Sequence, residues 1–358
     1  YSGAVKASDA LAMSLNVPAV SMLQKYGVEA FRSKASSLGI KSLNFSANHY
    51  GLSLILGGGE VSLFDLVKVY SRMAQKLNFY GTNKIPSNIY VGGTPLQNDI
   101  TDLDPGVIYT TFEAMQKLMR PNTEGSWQLF SSSIPVAWKT GTSYGHRDAW
   151  AIGVTPQFTI GIWVGNADGE GRPEIIGSVA AGTLLFDVLN LLPNNKTWFN
   201  IPHDDLVEVP TCSKSGFIAG AHCEKIDTLL SPVSTIWASA CPYHKTVFLD
   251  KDGNRADKSC LLEVKKHHWF ILPVYMAHFY KKNHPEYLDV PAYNSQCKNK
   301  IEESSIALLY PSSHQTLFLP LGLNGEEKMP VFKASHKDSA SRIFWHLDDK
   351  YMGSTKEI

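Results

Sequence analysis

The sequence lacks the features that mark several large classes of protein. Its 33 lysines and arginines are balanced by 33 aspartates and glutamates, so it has no basic surplus of the kind that nucleic-acid-binding proteins carry. Its longest apolar segment, Val179 to Leu192, is interrupted by Asp187 and Asn190 and is shorter than the roughly 18 uncharged residues of a membrane span. None of its 12 histidines stands in an H-E-x-x-H arrangement, which disfavours a zinc protease. We therefore expect a globular chain with no nucleic-acid partner, no cofactor and no catalytic metal.

Cysteine is absent from the first 211 residues, and five cysteines follow: Cys212, Cys223, Cys241, Cys260 and Cys297. Such clustering in one segment is typical of local disulfides formed in an oxidising compartment. We predict disulfides among the first four, with Cys297 left as a single thiol. Zinc is an alternative, because His222 adjoins Cys223 and Cys241-Pro-Tyr-His244 has the spacing of a ligand pair. Disulfides are favoured over zinc or free thiols because the paired C-x-x-C units of a zinc ribbon are missing.

The length of 358 residues predicts about two to three domains, and 44% hydrophobic residues supply packed cores. Helix-forming runs with capping signals predict helices over 7–13, 18–27, 28–38, 62–77, 105–119 and 179–191. Three short β-like runs separated by turn signals predict an antiparallel meander over 134–138, 149–154 and 158–164. Helices before and after a small antiparallel sheet indicate an α+β domain, which we place at residues 1–200.

The remainder of the chain is less regular. Residues 193–210 are predicted to be a linker, and a hairpin is predicted around the turn at Asp252-Gly253. The aromatic and basic segment 264–293 is interpreted as packing between modules rather than binding a partner. Short strand-like segments recur at the spacing of a small β-sandwich, over 306–310, 316–319, 329–333 and 342–347. We therefore predict a cysteine-containing linker module at 201–303 and a third domain at 304–358.

Two short polar motifs carry the candidate chemistry. Lys139-Thr140-Gly141-Thr142-Ser143 directly follows an apolar run, so the lysine ammonium and the threonine hydroxyls are placed at a strand end and suit a substrate carboxylate. Gly141 has no Cβ, so another backbone can lie close to the strand there. Ser14-Leu15-Asn16 lies where one helix stops and Pro18 starts the next. We expect the two motifs to converge across one cleft.

S-x-N followed by K-T-G is the second and third motif of the penicillin-recognising serine acyltransferases. The segment Ala10 to Val20 resembles the S-x-N region of the bifunctional (class A) penicillin-binding proteins. Their order of motifs is also followed by Trp138 to Ser143, Arg147 to Trp150 and Trp163 to Asn166. Near the C-terminus, 344–348 and 351–355 resemble the extra terminal domain of the 1C branch of that family. The resemblance covers most of 1–192 and about 305–358. It implies part of a serine β-lactamase-like transpeptidase domain, followed by the cysteine-containing linker module and a small, incomplete, all-β Ig-like sandwich.

The resemblance implies a peptidoglycan D,D-transpeptidase, which cross-links the wall by serine acyl transfer on stem peptides ending in D-Ala-D-Ala. β-Lactam antibiotics would occupy the same groove. Ser14 would relay a proton to the leaving amine, Asn16 would hold an amide group of the substrate, and Lys139 would bind Ser14 and raise the local positive potential.

The K-T-G strand would bind the substrate through four residues: Thr140, Gly141, Thr142 and Ser143. By the same resemblance, Thr140 and Thr142 would take the terminal carboxylate. The backbone N–H of Thr142 would form half of the oxyanion hole.

The departure from the family is the nucleophile. Its S-x-x-K motif should precede S-x-N, but Ser295 is the one serine followed three residues later by a lysine, in a polar segment far downstream. We therefore expect that the chain begins inside the transpeptidase domain and is inactive alone. Its parent would be a periplasmic glycosyltransferase and transpeptidase, held to the inner membrane by an upstream helix.

Two other functions stay open. One is a non-catalytic module of the cell envelope, whose C-terminal domain binds a protein of the cell-wall machinery. The other is a hydrolase of the same superfamily, either a D,D-carboxypeptidase or a β-lactamase.

Overall fold

The structure is a computed structural model. It describes residues 4–80, 101–121, 134–193, 196–234, 239–256, 263–297, 306–311, 330–336 and 341–356. The chain divides into two compact units, each described here by itself. The first unit contains Lys6–Val209 and Leu229–Trp237, and the second contains Tyr1–Val5, Pro210–Thr228 and Ala238–Ile358. Within the described ranges, no helix has both the length and the apolar character that crossing a membrane requires.

The first unit begins with helices, at α1 (Ala7–Ala12), α2 (Asn16–Tyr26), α3 (Val28–Leu38), α4 (Ala47–Tyr50), α5 (Leu63–Asn78) and α6 (Pro105–Gln116). The predicted end signals are confirmed. Gly27 and Gly39 follow α2 and α3 with φ of 96° and 117°, values that favour glycine. The Ser62 hydroxyl accepts a 3.0 Å hydrogen bond from the backbone N–H of Asp65 and caps α5.

The sheet of the first unit is the predicted antiparallel meander. Strands β1 (Ala137–Thr142), β2 (Asp148–Val154) and β3 (Thr159–Gly165) are hydrogen-bonded in that order. The prediction of a strand over 134–138 was wrong in its position. Val136 is fully buried before the pairing with β2 begins, so its apolar character reflects core packing and not strand pairing. The K-T-G motif consequently lies inside β1 and not beyond its end.

The sheet is packed on both faces. Ala137, Ile152 and Val154 lie against α5 and α6, whereas Ala149 and Ala151 lie against α7 (Gly182–Leu191), which follows a π-helical turn at Gly177–Ala181. This arrangement confirms the predicted α+β class for the first unit.

The predicted linker at 193–210 was wrong over most of its described length. Phe199 packs on Phe112 with ring centroids 5.7 Å apart, and Trp198 Nε1 donates to Glu113 Oε1 at 2.7 Å. A 3₁₀ turn at His203–Asp205 then leads into β4 (Leu206–Cys212), which pairs with β5 (Ile226–Pro232). The division between the units falls within both of these strands. The polar and proline-rich composition of this segment predicted a linker, although Trp198 and Phe199 pack against α6.

In the second unit, β6 (His244–Leu249) pairs with β7 (Arg255–Ala256) and β8 (Lys265–Phe270). The hairpin between β6 and β7 is confirmed, with φ of 82° at Gly253. Aromatic rings of the predicted 264–293 segment pack within this unit, where Phe270 contacts Tyr280 of α8 (Val274–Asn283) and Tyr287.

Four more strands follow: β9 (Ile306–Tyr310), β10 (Lys333–His336), β11 (Ile343–Leu347) and β12 (Lys350–Thr355). They form two separate antiparallel pairs, β9 with β10 and β11 with β12. The strand predicted at 329–333 begins only at Lys333, and the one predicted at 316–319 lies outside the described residues. The Ig-like sandwich stays a prediction.

The disulfide prediction was wrong for three cysteines. Cys212, Cys223 and Cys241 are free thiols, while Cys297, predicted to be left over, is disulfide-bonded. The sulfur atoms of the three free cysteines gather around His244 instead of joining in a bond. Cys260 lies outside the described residues.

Candidate active site

Ser14 lies in a left-handed turn that ends α1. Its φ is 53°, a value that residues with a side chain rarely adopt. Two backbone hydrogen bonds close the turn, from Ser14 N–H to Leu11 O at 3.2 Å and from Leu15 N–H to Ala10 O at 2.9 Å. This is the Schellman pattern, in which the position of Ser14 is usually occupied by glycine. The turn reverses the chain, so that α2 begins two residues later at Asn16.

Lys139 approaches Ser14 from β1. Because side chains alternate along a strand, Lys139 shares its face with Ala137, which is buried against α6. The Lys139 ammonium donates to Ser14 Oγ across 125 residues of sequence and also to the carbonyl oxygen of Thr140 at 2.9 Å. The predicted convergence of the serine of S-x-N with the lysine of K-T-G is therefore present in the structure.

A second contact holds α1 in this position. Lys117, which follows α6, donates to Ser8 Oγ at 2.9 Å and to Asp9 Oδ1 at 3.3 Å. The helix that ends at Ser14 is thus tied to the helix that packs on β1.

Among the described residues, no carboxylate forms an ion pair with the Lys139 ammonium. Its hydrogen bonds in the described part of the chain go to a hydroxyl and a carbonyl, and it takes part in no described ion pair. Burial removes water from the ammonium and lowers the pKa of Lys139 below the ordinary value for lysine. A nearby anion would stabilise the charged form of Lys139, because its attraction would compensate for the hydration that the ammonium has lost.

The rest of the K-T-G strand is fixed by its turn and by its neighbour. The Ser143 N–H donates to Asp148 O at 3.0 Å, so by antiparallel alternation the backbone N–H of Thr142 points away from β2, towards the other edge of β1. The Ser143 hydroxyl accepts from the Asp148 N–H at 2.8 Å and holds the turn. The Thr142 hydroxyl accepts from the Gly177 N–H at 2.9 Å and keeps its own proton to donate.

The site residues therefore do not all meet. Thr140 and Thr142 direct their side chains to the face of β1 opposite Lys139. Asn16 is exposed at the first position of α2, and no described hydrogen bond joins its side chain to Lys139.

Gly177 is a residue that the sequence analysis missed. A Cβ on Gly177 would lie 2.4 Å from Gly141 O and 3.1 Å from Thr140 Cβ, which is too close for any side chain. A Cβ on Gly141 would meet only Trp150 Cβ, at an ordinary 3.6 Å. The close approach of a second backbone is thus real, but the glycine that permits it is on the other segment, where no motif signals it.

The residues that could hold a metal lie in the second unit. In the described ranges, the group able to do so is Cys212, Cys223, Cys241 and His244. His222, the alternative zinc ligand beside Cys223, instead stacks on His268 with ring centroids 4.6 Å apart.

No protein-family model matches the chain. Among curated proteins, it is 33% identical to penicillin-binding protein 1C of Escherichia coli over 204 residues, which are 57% of this chain and 25% of that protein. It is 26% identical to penicillin-binding protein 1B of Haemophilus influenzae over 53% of the chain and 24% of that protein. It is 28% identical to penicillin-binding protein 1A/1B of Bacillus subtilis over 48% of the chain and 20% of that protein.

The chain therefore spans about a quarter or less of the length of these relatives. A solved structure of penicillin-binding protein 1A from Haemophilus influenzae gives a TM-score of 0.45 at 15% identity, over 64% of this chain and 40% of that one. The sequence similarity confirms the resemblance to the class A penicillin-binding proteins that the two motifs predicted.

Proposed function

We propose that the first unit supplies the S-x-N and K-T-G sides of a groove for serine acyl transfer on peptidoglycan stem peptides ending in D-Ala-D-Ala. The reaction would be that of a D,D-transpeptidase, and β-lactams would bind as mimics of the dipeptide. The observation that carries the proposal is the hydrogen bond from the Lys139 ammonium to Ser14 Oγ, which joins the two motifs. The proposal locates the chain in the cell envelope, where peptidoglycan is cross-linked.

Ser14 is suited to relay a proton. Its oxygen accepts from Lys139, so its own O–H is left to donate to the nitrogen of the departing D-alanine. Lys139 favours the anionic form of the substrate carboxylate through its unneutralised charge. Asn16, exposed two residues after Ser14, would hold a substrate amide group at the groove entrance.

The N–H of Thr142 is suited to the oxyanion that forms during acyl transfer. It points to the edge of β1 that is not paired with β2, and the strand holds it in a fixed direction. The loss of one such donor typically costs about 2.7–4 kcal/mol of transition-state stabilisation. Thr140 and Thr142 would contribute hydroxyls to the carboxylate, with Gly141 and Ser143 shaping the strand between them.

The attacking serine is proposed to come from a segment outside this sequence. Within it, Ser295 has a lysine three residues later, but Ser295–Cys297 is a 3₁₀ turn that ends at a disulfide-bonded cysteine.

The proposal is tested by titrating the ¹⁵N-labelled chain with diacetyl-L-lysyl-D-alanyl-D-alanine and recording amide spectra. We expect saturable shifts at Ser14 and at Lys139 to Thr142, and no such shifts with the L-alanyl-L-alanine peptide. Lys139→Met should weaken binding by about tenfold or more, because a hydrogen bond to a charged group contributes about 1.5–3 kcal/mol. Lys41→Met removes the same charge at an exposed position and should bind as the parent chain does.

Equal shifts with both peptides, or unchanged binding by Lys139→Met, would contradict the proposed groove. Binding that is lost only when residues of the second unit are changed would favour an envelope-binding module. A cell-wall protein bound through residues 304–358 stays a prediction.

A further inference from the structure

Three cysteines and one histidine of the second unit place their ligand atoms around one point. The three sulfur atoms and His244 Nδ1 all lie within 4.8 Å of one another. His244 Nδ1 is 3.5 Å from Cys212 Sγ, 3.5 Å from Cys223 Sγ and 3.4 Å from Cys241 Sγ. A tetrahedral zinc ion with Zn–S of about 2.3 Å and Zn–N of about 2.0–2.1 Å would separate sulfur from nitrogen by about 3.5 Å. The three measured separations therefore match the geometry of a zinc centre.

Three of the four residues of the cluster are buried and the fourth is half-buried. Cys212 is 1% exposed and His244 is 7% exposed, and Cys241 is buried as well. Cys223 is half-buried. Bringing three thiols and an imidazole together in such a place is unfavourable unless they share a partner that satisfies all four.

The sulfur atoms also receive hydrogen bonds. The Gly220 N–H donates to Cys223 Sγ at 3.3 Å, and the Ser215 hydroxyl donates to Cys241 Sγ at 3.1 Å. Donors aimed at sulfur stabilise the thiolate form, which is the form that binds metal.

The backbone holds the ligands in place through Ile218. Ile218 forms a bridge with Thr211 on one side and with Ala240 on the other. Next to these bridges, the Cys212 N–H donates to Phe217 O and the Cys241 N–H donates to Ile218 O, both at 2.8 Å. Two cysteines are thus set side by side by strand-like pairing, and the C-x-x-H spacing carries His244 back to them.

We propose that Cys212, Cys223, Cys241 and His244 bind one Zn²⁺ ion. Three thiolates and one neutral imidazole fill the tetrahedral shell and leave no position for substrate, so the site is structural and not catalytic. Binding releases one proton from each of the three thiols and uses the His244 tautomer protonated on Nε2. The ion joins the end of β4, the loop 213–225 and the start of β6.

The test is the metal content of the full chain purified under reducing conditions. We expect one zinc per chain by elemental mass spectrometry, released when the thiols react with an organomercurial reagent. Cobalt added after removal of zinc should give the visible bands of a tetrahedral site and a sulfur-to-cobalt charge-transfer band. Removal of zinc with a strong chelator should lower the melting temperature of the chain, and zinc should restore it.

Variants separate the ligands from their neighbours. Cys223→Ser should reduce the bound zinc and abolish the cobalt spectrum, while His222→Asn, at the adjacent residue, should leave both unchanged. His244→Cys should keep the cobalt site but shift it to the spectrum of four sulfur ligands, which tests the ligand set even where Cys223→Ser folds poorly. Ser215→Ala should weaken zinc affinity by about tenfold or more, since loss of an outer hydrogen bond typically has that effect.

A reduced chain with native circular dichroism that binds neither zinc nor cobalt would overturn the proposal. So would a native chain in which any two of the three cysteines are joined in a disulfide. Neither result bears on stem-peptide binding by the first unit, so the two proposals can fail separately.

Discussion

Ser14 bears a side chain at a position where the backbone favours glycine. Its φ of 53° ends α1 in a left-handed turn, and the same turn brings the hydroxyl to the Lys139 ammonium. A left-handed conformation costs a residue with a side chain about 1–2 kcal/mol. Such local strain is often found at functional sites, where a particular side chain is needed in an unfavourable conformation.

We expect Ser14→Gly to be more stable than Ser14→Ala by about 1 kcal/mol, as measured by chemical unfolding. Both changes remove the hydroxyl and its hydrogen bond to Lys139, so the difference between them reports the backbone conformation alone. Both variants should bind the D-alanyl-D-alanine peptide more weakly than the parent chain.

The same pair of substitutions at Ser33 serves as the control. Ser33 is exposed in the interior of α3, where glycine is less stable than alanine by about 0.5–1 kcal/mol. The order of the two variants should therefore be reversed there. If the alanine variant were the more stable of the two at position 14 as well as at position 33, the left-handed turn at Ser14 would be contradicted.

At the scale of elements, the position of the K-T-G residues depends on how β1 meets the segment that precedes α7. Gly177 begins the π-helical turn and donates to the Thr142 hydroxyl. Gly141 lies beneath it, and the two backbones approach so closely that a Cβ on Gly177 cannot be accommodated.

Gly177→Ala should destabilise the first unit by about 1–3 kcal/mol, because the backbone must move to admit the methyl group. Amide resonances of Thr140 to Thr142 should shift with it. Gly141→Ala is the matched change on the opposite side of the contact, and it should alter stability by less than about 1 kcal/mol because its Cβ has ordinary contacts. Thermal unfolding monitored by circular dichroism compares the two. Equal losses of stability in the two variants would show that the approach of the Gly141 backbone does not limit the size of residue 177.

Helix ends and strand order could be predicted from the sequence because they depend on local signals. Gly27, Gly39 and Ser62 act on the residues next to them, and the alternating turn and apolar runs of 134–164 are enough to predict a meander. The role of Gly177 could not be predicted, because it depends on a contact with residues more than 30 positions away, and glycine alone does not say what approaches it.

At the scale of the whole chain, dependence on contacts between distant residues also explains why the disulfide prediction was wrong. Cys241 and His244 have a recognisable spacing, but Cys212 and Cys223 join them only through the backbone pairing at Ile218. Three irregularly spaced cysteines give no signal that separates a metal site from disulfides. In the first unit the two polar motifs did predict the contact between Ser14 and Lys139, because the chemistry of the resembling family requires both motifs together.

We expect that the isolated chain forms no covalent adduct with penicillin. In the proposed function the first unit offers a proton relay, a positive charge and an oxyanion donor, but none of its serines is followed three residues later by a lysine. Incubation with a fluorescent penicillin, followed by a denaturing gel and intact mass measurement, checks this. A penicillin-binding protein that retains its S-x-x-K motif should be labelled in parallel.

A stable labelled band from this chain would contradict the expectation. Peptide mass spectrometry would then locate the modified serine. Modification of Ser295 would contradict the proposal that the attacking serine lies outside this sequence.

The left-handed turn at Ser14 has an evolutionary consequence. Under the proposed function, a descendant that had lost the role of the Ser14 hydroxyl would gain stability by exchanging this serine for glycine. Under that proposal, relatives that keep serine there retain selection for the hydroxyl, whereas a change to glycine would mark a lineage that had lost the proposed role.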